Sequence, residues 1–173
     1  FPVMVKATQD ELNWSSLVQA DLDDVIFVDS DNTTLLNFEW EKKLSTGESI
    51  AWVKVPQIDA SSSTDKIYMY YGSASAGDQS VVASTWDANY KGVWHLNEAS
   101  GTVYDATSNQ ANGTATGSPI YGSVGKIDGS LDFSGTGQDI DTATAPSMSG
   151  AGSITTSAWI NADALAGLAF RIV

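Results

Sequence analysis

The sequence predicts an all-β protein that consists of two sandwich-like units. Apolar and polar residues alternate in short runs, and turn-forming residues separate these runs at close intervals. Helical periodicity is weak and is confined to one short candidate at residues 10–19. Short alternating runs with frequent turns are typical of β-sandwiches. We therefore expect a helix content below about 15%, well under that of an average globular protein.

Strands in the first half are predicted from period-two runs that end at turn residues. The segment Asp29–Asn32 reads as a hairpin turn, because it lacks the glycine and the final glutamate of a helix–loop–helix calcium loop. The five predicted strands are Pro2–Thr8, Asp24–Val28, Leu35–Lys42, Ile50–Val55 and Lys66–Tyr71.

The composition changes after Gly72. Residues 73–89 are rich in Ala, Ser, Gly and Asp, which favours a linker. Both chain ends are apolar, so we expect a first unit at 1–77 that lacks an N-terminal strand and a second at 92–173 that is incomplete at its C-terminus. A linker at 78–91 joins the two units. Further strands are predicted at Gly92–Leu96, Ser130–Phe133 and Ser153–Ile160.

Composition and charge exclude several functional classes. The 173 residues include 42% hydrophobic residues, which is enough to build a core. Eight Lys and Arg residues stand against 21 Asp and Glu residues, for a net charge of −13, which argues against binding to nucleic acids and anionic membranes. The absence of cysteine excludes disulfides and thiol chemistry. No apolar run is long enough to insert into a membrane.

Four motifs in the first half resemble those of the bacterial and archaeal family known as domain of unknown function 2341. They are residues 1–5 (FPVMV), 24–31 (DVIFVDSD), 51–56 (AWVKVP) and 67–72 (IYMYYG), in the same order as in the family. The resemblance covers about residues 1–77. It implies a β-sandwich that normally carries one strand before the strand that opens this sequence.

The second half resembles the concanavalin A-like, laminin-G-like lectin and glucanase superfamily, whose fold is a jelly-roll sandwich. The similar motifs are residues 92–98 (GVWHLNE), 105–109 (DATSN), 112–114 (NGT), 129–135 (GSLDFSG) and 153–160 (SITTSAWI). About half of such a domain falls within the sequence. The resemblance implies glycan binding or adhesion by a large extracellular protein.

One loop offers oxygen donors for a cation. Asp105, Asn109 and Asn112 supply a carboxylate and two amides within eight residues, and Ca²⁺ prefers such oxygen ligands. The superfamily that the second half resembles often carries calcium in or near its loops. The alternative is a set of turns in which these side chains bond to the neighbouring backbone. We name Asp105, Asn109 and Asn112 as the candidate calcium ligands.

No catalytic constellation is evident in the sequence. Retaining glucanases of the concanavalin A-like fold carry three alternating carboxylates on one strand, whereas Glu39–Glu41 and Asp139–Asp141 contain only two each. Alternation places each pair on one face of a strand, and we expect both pairs to face solvent. His95 is the single histidine, with Glu98 nearby, and is expected to be structural.

The tryptophans divide into two groups according to the predicted strands. Trp52, Trp94 and Trp159 lie within strand patterns and are expected in the core. The remaining three are better candidates for a surface that stacks on sugars: Trp14, Trp40 and Trp86.

These observations predict a secreted or cell-surface, non-catalytic module that binds a carbohydrate or mediates adhesion. Its expected partners are a glycan or surface polysaccharide, and neighbouring domains or identical chains that pair through open sheet edges. Two alternatives stay open. One is a structural stalk, filament or scaffold domain without a small ligand, and the other is a segment of a glycoside hydrolase whose catalytic residues lie elsewhere.

Overall fold

The computed structural model describes residues 1–8, 19–44, 47–142, 148 and 152–162. These residues are mostly β-strand, turn and irregular structure, as the sequence predicts. The predicted helix at 10–19 lies, apart from Gln19, outside the described residues. The elements in chain order are β1 (Pro2–Thr8), β2 (Ile26–Val28), β3 (Leu35–Leu36), β4 (Phe38–Lys42), β5 (Glu48–Lys54), β6 (Tyr68–Tyr70), α1 (Val82–Thr85), β7 (Gly113–Thr116), β8 (Ile120–Val124), β9 (Gly129–Asp132) and β10 (Asp139–Thr142).

The first sheet has the order β1-β5-β4, and both pairings are antiparallel. β1 and β5 run side by side over their whole length, from Pro2 opposite Lys54 to Thr8 opposite Glu48. The β4–β5 register shifts after Trp40, which leaves Glu41 as the extra residue of a β-bulge. Because side chains alternate along a strand, one face of this sheet is apolar and the other carries Glu39 and its neighbours.

The second sheet has the order β3-β2-β6 and is also antiparallel. Phe27 at its centre pairs with Leu36 on one side and Met69 on the other, so the three side chains share the inner face. The strands β2 and β3 are joined by the predicted hairpin turn. In that turn Asp31 accepts hydrogen bonds from Thr33 and Thr34, as expected for an aspartate that initiates a turn.

The core lies between the inner faces of the two sheets. The rings of Phe27 and Phe38 meet edge to face across it, with centroids 5.0 Å apart. All five predicted strands of the first half contribute to this layer, which confirms a sandwich-like core. The buried apolar residues of the cluster are Ala7, Leu22, Val25, Phe27, Leu36, Phe38, Ala51, Val53 and Val55.

The structure corrects two predicted strands in the second half. Gly92–Leu96 forms only an isolated bridge, in which Trp94 pairs with Asp105. Residues 153–160 are described but form no strand, and they are exposed. The strands in this half form two antiparallel pairs: β8 pairs with the next strand, β9, and β7 pairs with β10, so that β8 and β9 lie between β7 and β10 in the chain. No helix among the described residues is long and apolar enough to span a membrane.

A buried carboxylate ties the two ends of the second sheet together. Asp24, just before β2, is only 3% exposed. Its two oxygens accept hydrogen bonds from the backbone N–H groups of Gln19 (2.9 Å) and Gly72 (2.6 Å). Gly72 follows β6 with φ of 103°, a conformation that favours glycine. Asp24 therefore fixes where the chain enters β2 and leaves β6.

We expect Asp24→Asn to destabilise the protein by about 1–3 kcal/mol, because one acceptor is replaced by an amino group that faces a partly buried N–H donor. Urea denaturation measures the loss. The exposed Asp21 provides the matched control, and Asp21→Asn should leave the free energy of unfolding nearly unchanged. Equal stability of the two variants would contradict the role assigned to Asp24.

Candidate functional site

The outer face of the first sheet carries a buried polar cluster. Glu39 and Glu41 project from β4 on the side opposite the core, and Trp52 lies directly across from Glu39 on β5. The Trp52 indole N–H donates to Glu41 Oε2 over 2.5 Å. Glu39 is 2% exposed, although it lies on the outer face. A segment from later in the chain must therefore cover it.

That cover is residues 81–97, which begin with α1. Val81 N–H donates to the Phe38 carbonyl (2.8 Å), and Lys54 Nζ donates to the Ser84 carbonyl (3.0 Å). The Trp86 ring lies against Trp52, with centroids 5.5 Å apart. The predicted linker is thus packed against the sheet.

His95 completes the cluster, which we call the Glu39–His95 cluster and define as Glu39, Glu41, Trp52, Trp86 and His95. The Nε2 atom of His95 lies 2.7 Å from Glu39 Oε1, and its Nδ1 lies 3.5 Å from Glu41 Oε1. Trp86 Nε1 donates to the same oxygen of Glu39 over 2.7 Å. Two carboxylates therefore flank one imidazole.

The charges around His95 favour its protonated form. Burial acts most strongly on His95 and by itself would lower its pKa. Hydrogen bonds to Glu39 and Glu41, together with their negative charges, outweigh that effect and raise the pKa of His95 to about 9. Burial likewise opposes ionisation of Glu41, but His95 and Trp52 lower the pKa of Glu41 below its usual value. At neutral pH the cluster therefore holds an imidazolium between carboxylates.

The Glu39–His95 cluster is a closed network rather than an open reaction centre. Both nitrogens of His95 face carboxylates, and both indole N–H groups have acceptors. A general acid or base needs a nitrogen or oxygen directed at a substrate. The cluster is a buried network of hydrogen bonds and ion pairs that holds residues 81–97 against the first sheet.

The structure revises two expectations about these residues. Glu39 and Glu41 share one strand face as predicted, but the expectation that they face solvent is wrong, because residues 81–97 cover them. His95 has a structural position as expected, but its partners are on β4 and not Glu98. Glu98 Oε1 instead accepts a hydrogen bond from Tyr104 N–H (2.7 Å). By contrast, Asp139 and Asp141 are exposed on β10, as predicted.

The Asp105 loop, residues 105–112, is organised by one carboxylate. Asp105 Oδ1 accepts from the N–H groups of Val93 and Thr107, each at 2.9 Å. Its Oδ2 accepts from Thr107 Oγ1 (2.8 Å) and Ala111 N–H (2.9 Å). The loop therefore closes around Asp105 and also binds the strand-like segment that carries His95.

The other two candidate calcium ligands lie in the same loop but use different partners. Asn112 Oδ1 accepts from the N–H of Asp105, and Asn109 Nδ2 donates to the carbonyls of Tyr90 and Lys91. The described residues contain no group of three or more His, Cys, Asp or Glu side chains placed to hold a metal ion. The hydrogen-bond pattern favours the turn interpretation, and calcium binding by this loop stays a prediction.

A tyrosine face is exposed on the outside of the second sheet. It consists of Tyr68 and Tyr70 on β6, with Ile26 and Leu35 on the same side of the sheet. The two tyrosine ring centroids are 6.4 Å apart. Tyr70 is 45% exposed and Leu35 65% exposed. The Tyr70 hydroxyl donates to Asn32 Oδ1 (2.5 Å), so the neighbouring turn orients one ring.

The tyrosine face continues into a cleft at one end of the sandwich. Lys66 joins the two, since it lines the cleft and its Nζ lies 5.3 Å from the centroid of the Tyr68 ring. The cleft has a volume of about 390 Å³. Apolar side chains and three carboxylates line it together: Val3, Asp29, Ser30, Val55, Gln57, Ile58, Asp59, Asp65, Lys66 and Ile67.

The aromatic residues differ from the sequence-based assignment. Trp86 is buried and Trp40 packs against the core, so neither offers the surface expected of it. Trp159, expected in the core, is 77% exposed, and Trp14 lies outside the described residues. The aromatic side chains on the outer face are instead Tyr68, which is half-buried, and Tyr70, which is exposed. The sequence did contain a signal for this outer position. Tyr68 and Tyr70 alternate with Ile67, Met69 and Tyr71, which pack on the core, so the two tyrosines must lie on the opposite face of the strand.

A second depression, of about 520 Å³, lies in the second half. Its lining is neutral and consists mainly of small residues and backbone, with Tyr121 as its one aromatic side chain. The Tyr121 hydroxyl donates to the Gly101 carbonyl (2.5 Å) and is thus held within the depression. This surface lacks the paired rings of the tyrosine face.

Together these features define an all-β protein with a sandwich-like core, the Glu39–His95 cluster on one outer face and the tyrosine face on the other. The chain belongs to the family described as Domain of unknown function (DUF2341), whose model matches residues 21–112. That range is more than half of the 173 residues. The family resemblance of the first half is thereby confirmed.

The matched range differs from the expected one. It extends through the predicted linker at 78–91 and into the first residues of the predicted second unit. The cover residues 81–97 and the Asp105 loop thus fall within the family match. No curated protein and no solved structure matches the chain significantly. The likeness of residues 92–173 to lectin domains and the division at 77 and 92 stay predictions.

The Glu39–His95 cluster should make stability fall as the pH is raised. The pKa of His95 is about 9 in the folded protein, against 6.5 when unperturbed, so its stabilising contribution is complete below pH 6.5 and lost as the pH rises through about 9. The expected loss is on the order of 3 kcal/mol. Urea denaturation at a series of pH values measures it.

His95→Gln provides the control for this pH dependence, since glutamine does not titrate. The variant should be less stable than the unmodified protein at pH 6. Its free energy of unfolding should change little between pH 6.5 and about 9, where that of the unmodified protein falls. Glu41 acts in the opposite range: its lowered pKa adds stability above its usual 4.5, and that stability is lost on acidification. Identical pH profiles of stability for the unmodified protein and His95→Gln would contradict the ion pairs of His95 with Glu39 and Glu41.

Asp105→Asn should destabilise the protein by about 1–3 kcal/mol, because an amino group then faces the donors that Asp105 accepts. Because these donors occupy both carboxylate oxygens, we expect the same melting temperature of the unmodified protein in millimolar calcium and in chelator. Asp132→Asn, at an exposed site, is the control. A calcium-dependent rise in melting temperature that Asp105→Asn abolishes would instead support the calcium prediction.

Proposed function

We propose that this protein is a non-catalytic, carbohydrate-binding or adhesion module of a larger secreted or cell-surface protein. The tyrosine face and the adjoining end cleft form its ligand surface. The single observation that carries the proposal is the pair of half-buried Tyr68 and exposed Tyr70, which lie side by side and share Lys66 with the neighbouring polar cleft.

Aromatic rings and polar groups in this arrangement suit a sugar. Tyrosine offers a flat apolar face that buries the C–H face of a sugar ring, and it does so at a low cost in side-chain entropy. Tyr68 and Tyr70 provide two such faces on a regular strand, which holds them more rigidly than a loop would. An exposed apolar face of this kind is typical of an interaction site.

The cleft supplies the hydrogen bonds that a polyhydroxylated ligand requires. One oxygen each of Asp29, Asp59 and Asp65 accepts a hydrogen bond from a neighbouring protein group, which orients the carboxylate. Among the described residues, no protein group donates to the second oxygen of Asp29 or of Asp59, and these two oxygens are free to accept a hydroxyl. Asp65 also bonds to the Ser62 side chain. The apolar lining residues and the volume of about 390 Å³ fit the usual character and dimensions of a small-ligand site.

A structural module without a small ligand is the second candidate. The Glu39–His95 cluster favours this candidate, because its buried charged groups hold residues 81–97 against the first sheet. A stalk or scaffold domain needs this kind of fixed packing. A lectin-type jelly roll in residues 92–173 remains a further element of the proposal. Calcium in the Asp105 loop is the alternative to the turn interpretation, and the melting comparison in calcium and in chelator tests it. The proposal assigns no reaction to the chain, and the glycosidase alternative depends on carboxylates outside it.

Binding to an array of immobilised bacterial and plant polysaccharides tests the proposal. We expect Tyr68→Ala with Tyr70→Ala to weaken binding to any retained glycan at least about tenfold, equivalent to about 1.4 kcal/mol. Affinity electrophoresis of the purified variants gives the dissociation constants.

Tyr104→Ala is the matched control, because Tyr104 is 61% exposed but belongs to neither the tyrosine face nor the cleft. It should bind as the unmodified protein does. Thermal melting of all variants checks that folding is intact. Absence of binding across the array, together with end-to-end association of the protein, would favour the structural candidate. Equal losses for Tyr104→Ala and the double variant would also argue against the tyrosine face.

A further inference from the structure

The charge distribution around the end cleft is unbalanced. Asp29, Asp59 and Asp65 line the cleft, whereas Lys66 is its single cationic side chain. Asp31 lies in the adjoining turn and accepts hydrogen bonds from Thr34 and Thr33, which lower its pKa to about 2. The pKa of Asp65 is likewise lowered by hydrogen bonds from the Asp59 backbone and Ser62. These two carboxylates therefore stay ionised well below neutral pH.

The tyrosine face already accommodates a cation. The ammonium group of Lys66 lies over the ring of Tyr68, 5.3 Å from its centroid, which is within the range of a cation–π contact. Lys66 reaches this position from the cleft wall. The Tyr68 ring therefore already binds one cation at the edge of a cleft that is lined by carboxylates, and the amino group of a ligand can make the same contact with the ring.

The described residues also indicate what size of ligand suits the cleft. Its three carboxylates are not grouped closely enough to coordinate one metal ion. They line the cleft together with apolar side chains such as Val55 and Ile67. Such spacing suits an extended molecule with several donors rather than a single ion. A sugar polymer whose rings carry amino groups combines the flat C–H faces, the hydroxyls and the positive charges.

We propose that the tyrosine face and end cleft select glycans with free amino groups over neutral and acidic glycans, an inference that rests on the proposed glycan-binding function. The protein's charge of −13 repels polymers rich in uronate or sulfate and attracts cationic ones. The cleft carboxylates convert that general attraction into a local preference. The ligand class is thus a polymer of amino sugars.

The test compares three probes of equal chain length: oligomers of glucosamine, of N-acetylglucosamine and of galacturonic acid. Titration calorimetry is performed on the whole chain near pH 5.5, where the ligand amines and the carboxylates are both charged, about 1.5 units above the usual aspartate pKa. We expect the glucosamine oligomer to bind at least about tenfold more tightly than its acetylated form. We expect no measurable binding of the galacturonate oligomer.

Two substitutions separate the cleft from the overall charge. Asp59→Asn with Asp65→Asn keeps the side-chain shapes and should remove most of the preference for the glucosamine oligomer. Two exposed aspartates that do not line the cleft, changed as Asp128→Asn with Asp132→Asn, make the same change in net charge and should keep the preference. Lys66→Gln removes the competing cation and should strengthen binding about two- to fivefold.

The outcomes distinguish this inference from the proposed function. Equal affinity for the glucosamine and N-acetylglucosamine oligomers would overturn the preference for amino groups and leave glycan binding supported. Preference for the galacturonate oligomer would overturn it as well. An equal loss of preference in both double variants would assign the effect to net charge rather than the cleft. Failure of all three probes and of the polysaccharide array would reject the proposed function itself.

Discussion

The contact between Glu39 and His95 determines how the two halves of the described chain are joined. A carboxylate that is 2% exposed costs several kcal/mol to remove from water unless a partner compensates it. His95, 56 residues further along, is that partner. Its place in the cluster also requires Trp86 and α1 to lie over the first sheet. Strands β4 and β5 are consequently covered on both faces, by the apolar core on the inner face and by the Glu39–His95 cluster on the outer face.

The position of His95 depends in turn on the Asp105 loop. Asp105 holds the N–H of Val93, and the Trp94 indole donates to the Ala111 carbonyl over 3.0 Å. Gly92 allows this packing, because a Cβ there would lie 2.1 Å from an atom of the Trp94 ring. Residues that the sequence analysis assigned to a second unit thus position a side chain against the first sheet. This dependence agrees with a family match that runs to residue 112.

Local patterning predicted the first half well, because a two-sided sheet leaves a period-two signal in each strand. The same alternation also contained the tyrosine face, once Ile67 and Met69 were assigned to the core. The Glu39–His95 cluster carried no such signal, since its partners are distant in sequence and Trp86 lies in a segment with the composition of a linker. At 153–160 the sequence pattern predicted a strand that the structure does not have. Apolar alternation favours a strand, but it does not provide a neighbouring strand with which to pair.

The separation of Glu39 from His95 also affects how the protein emerges during synthesis. Translation at about 5–20 residues per second places roughly 3–11 seconds between the two residues. In the last part of that interval, after Tyr70 has been added, all strands of the sandwich have been synthesised, while His95 is still missing from the cover over Trp52 and the carboxylates of β4. The nascent chain therefore presents a temporary hydrophobic and acidic surface.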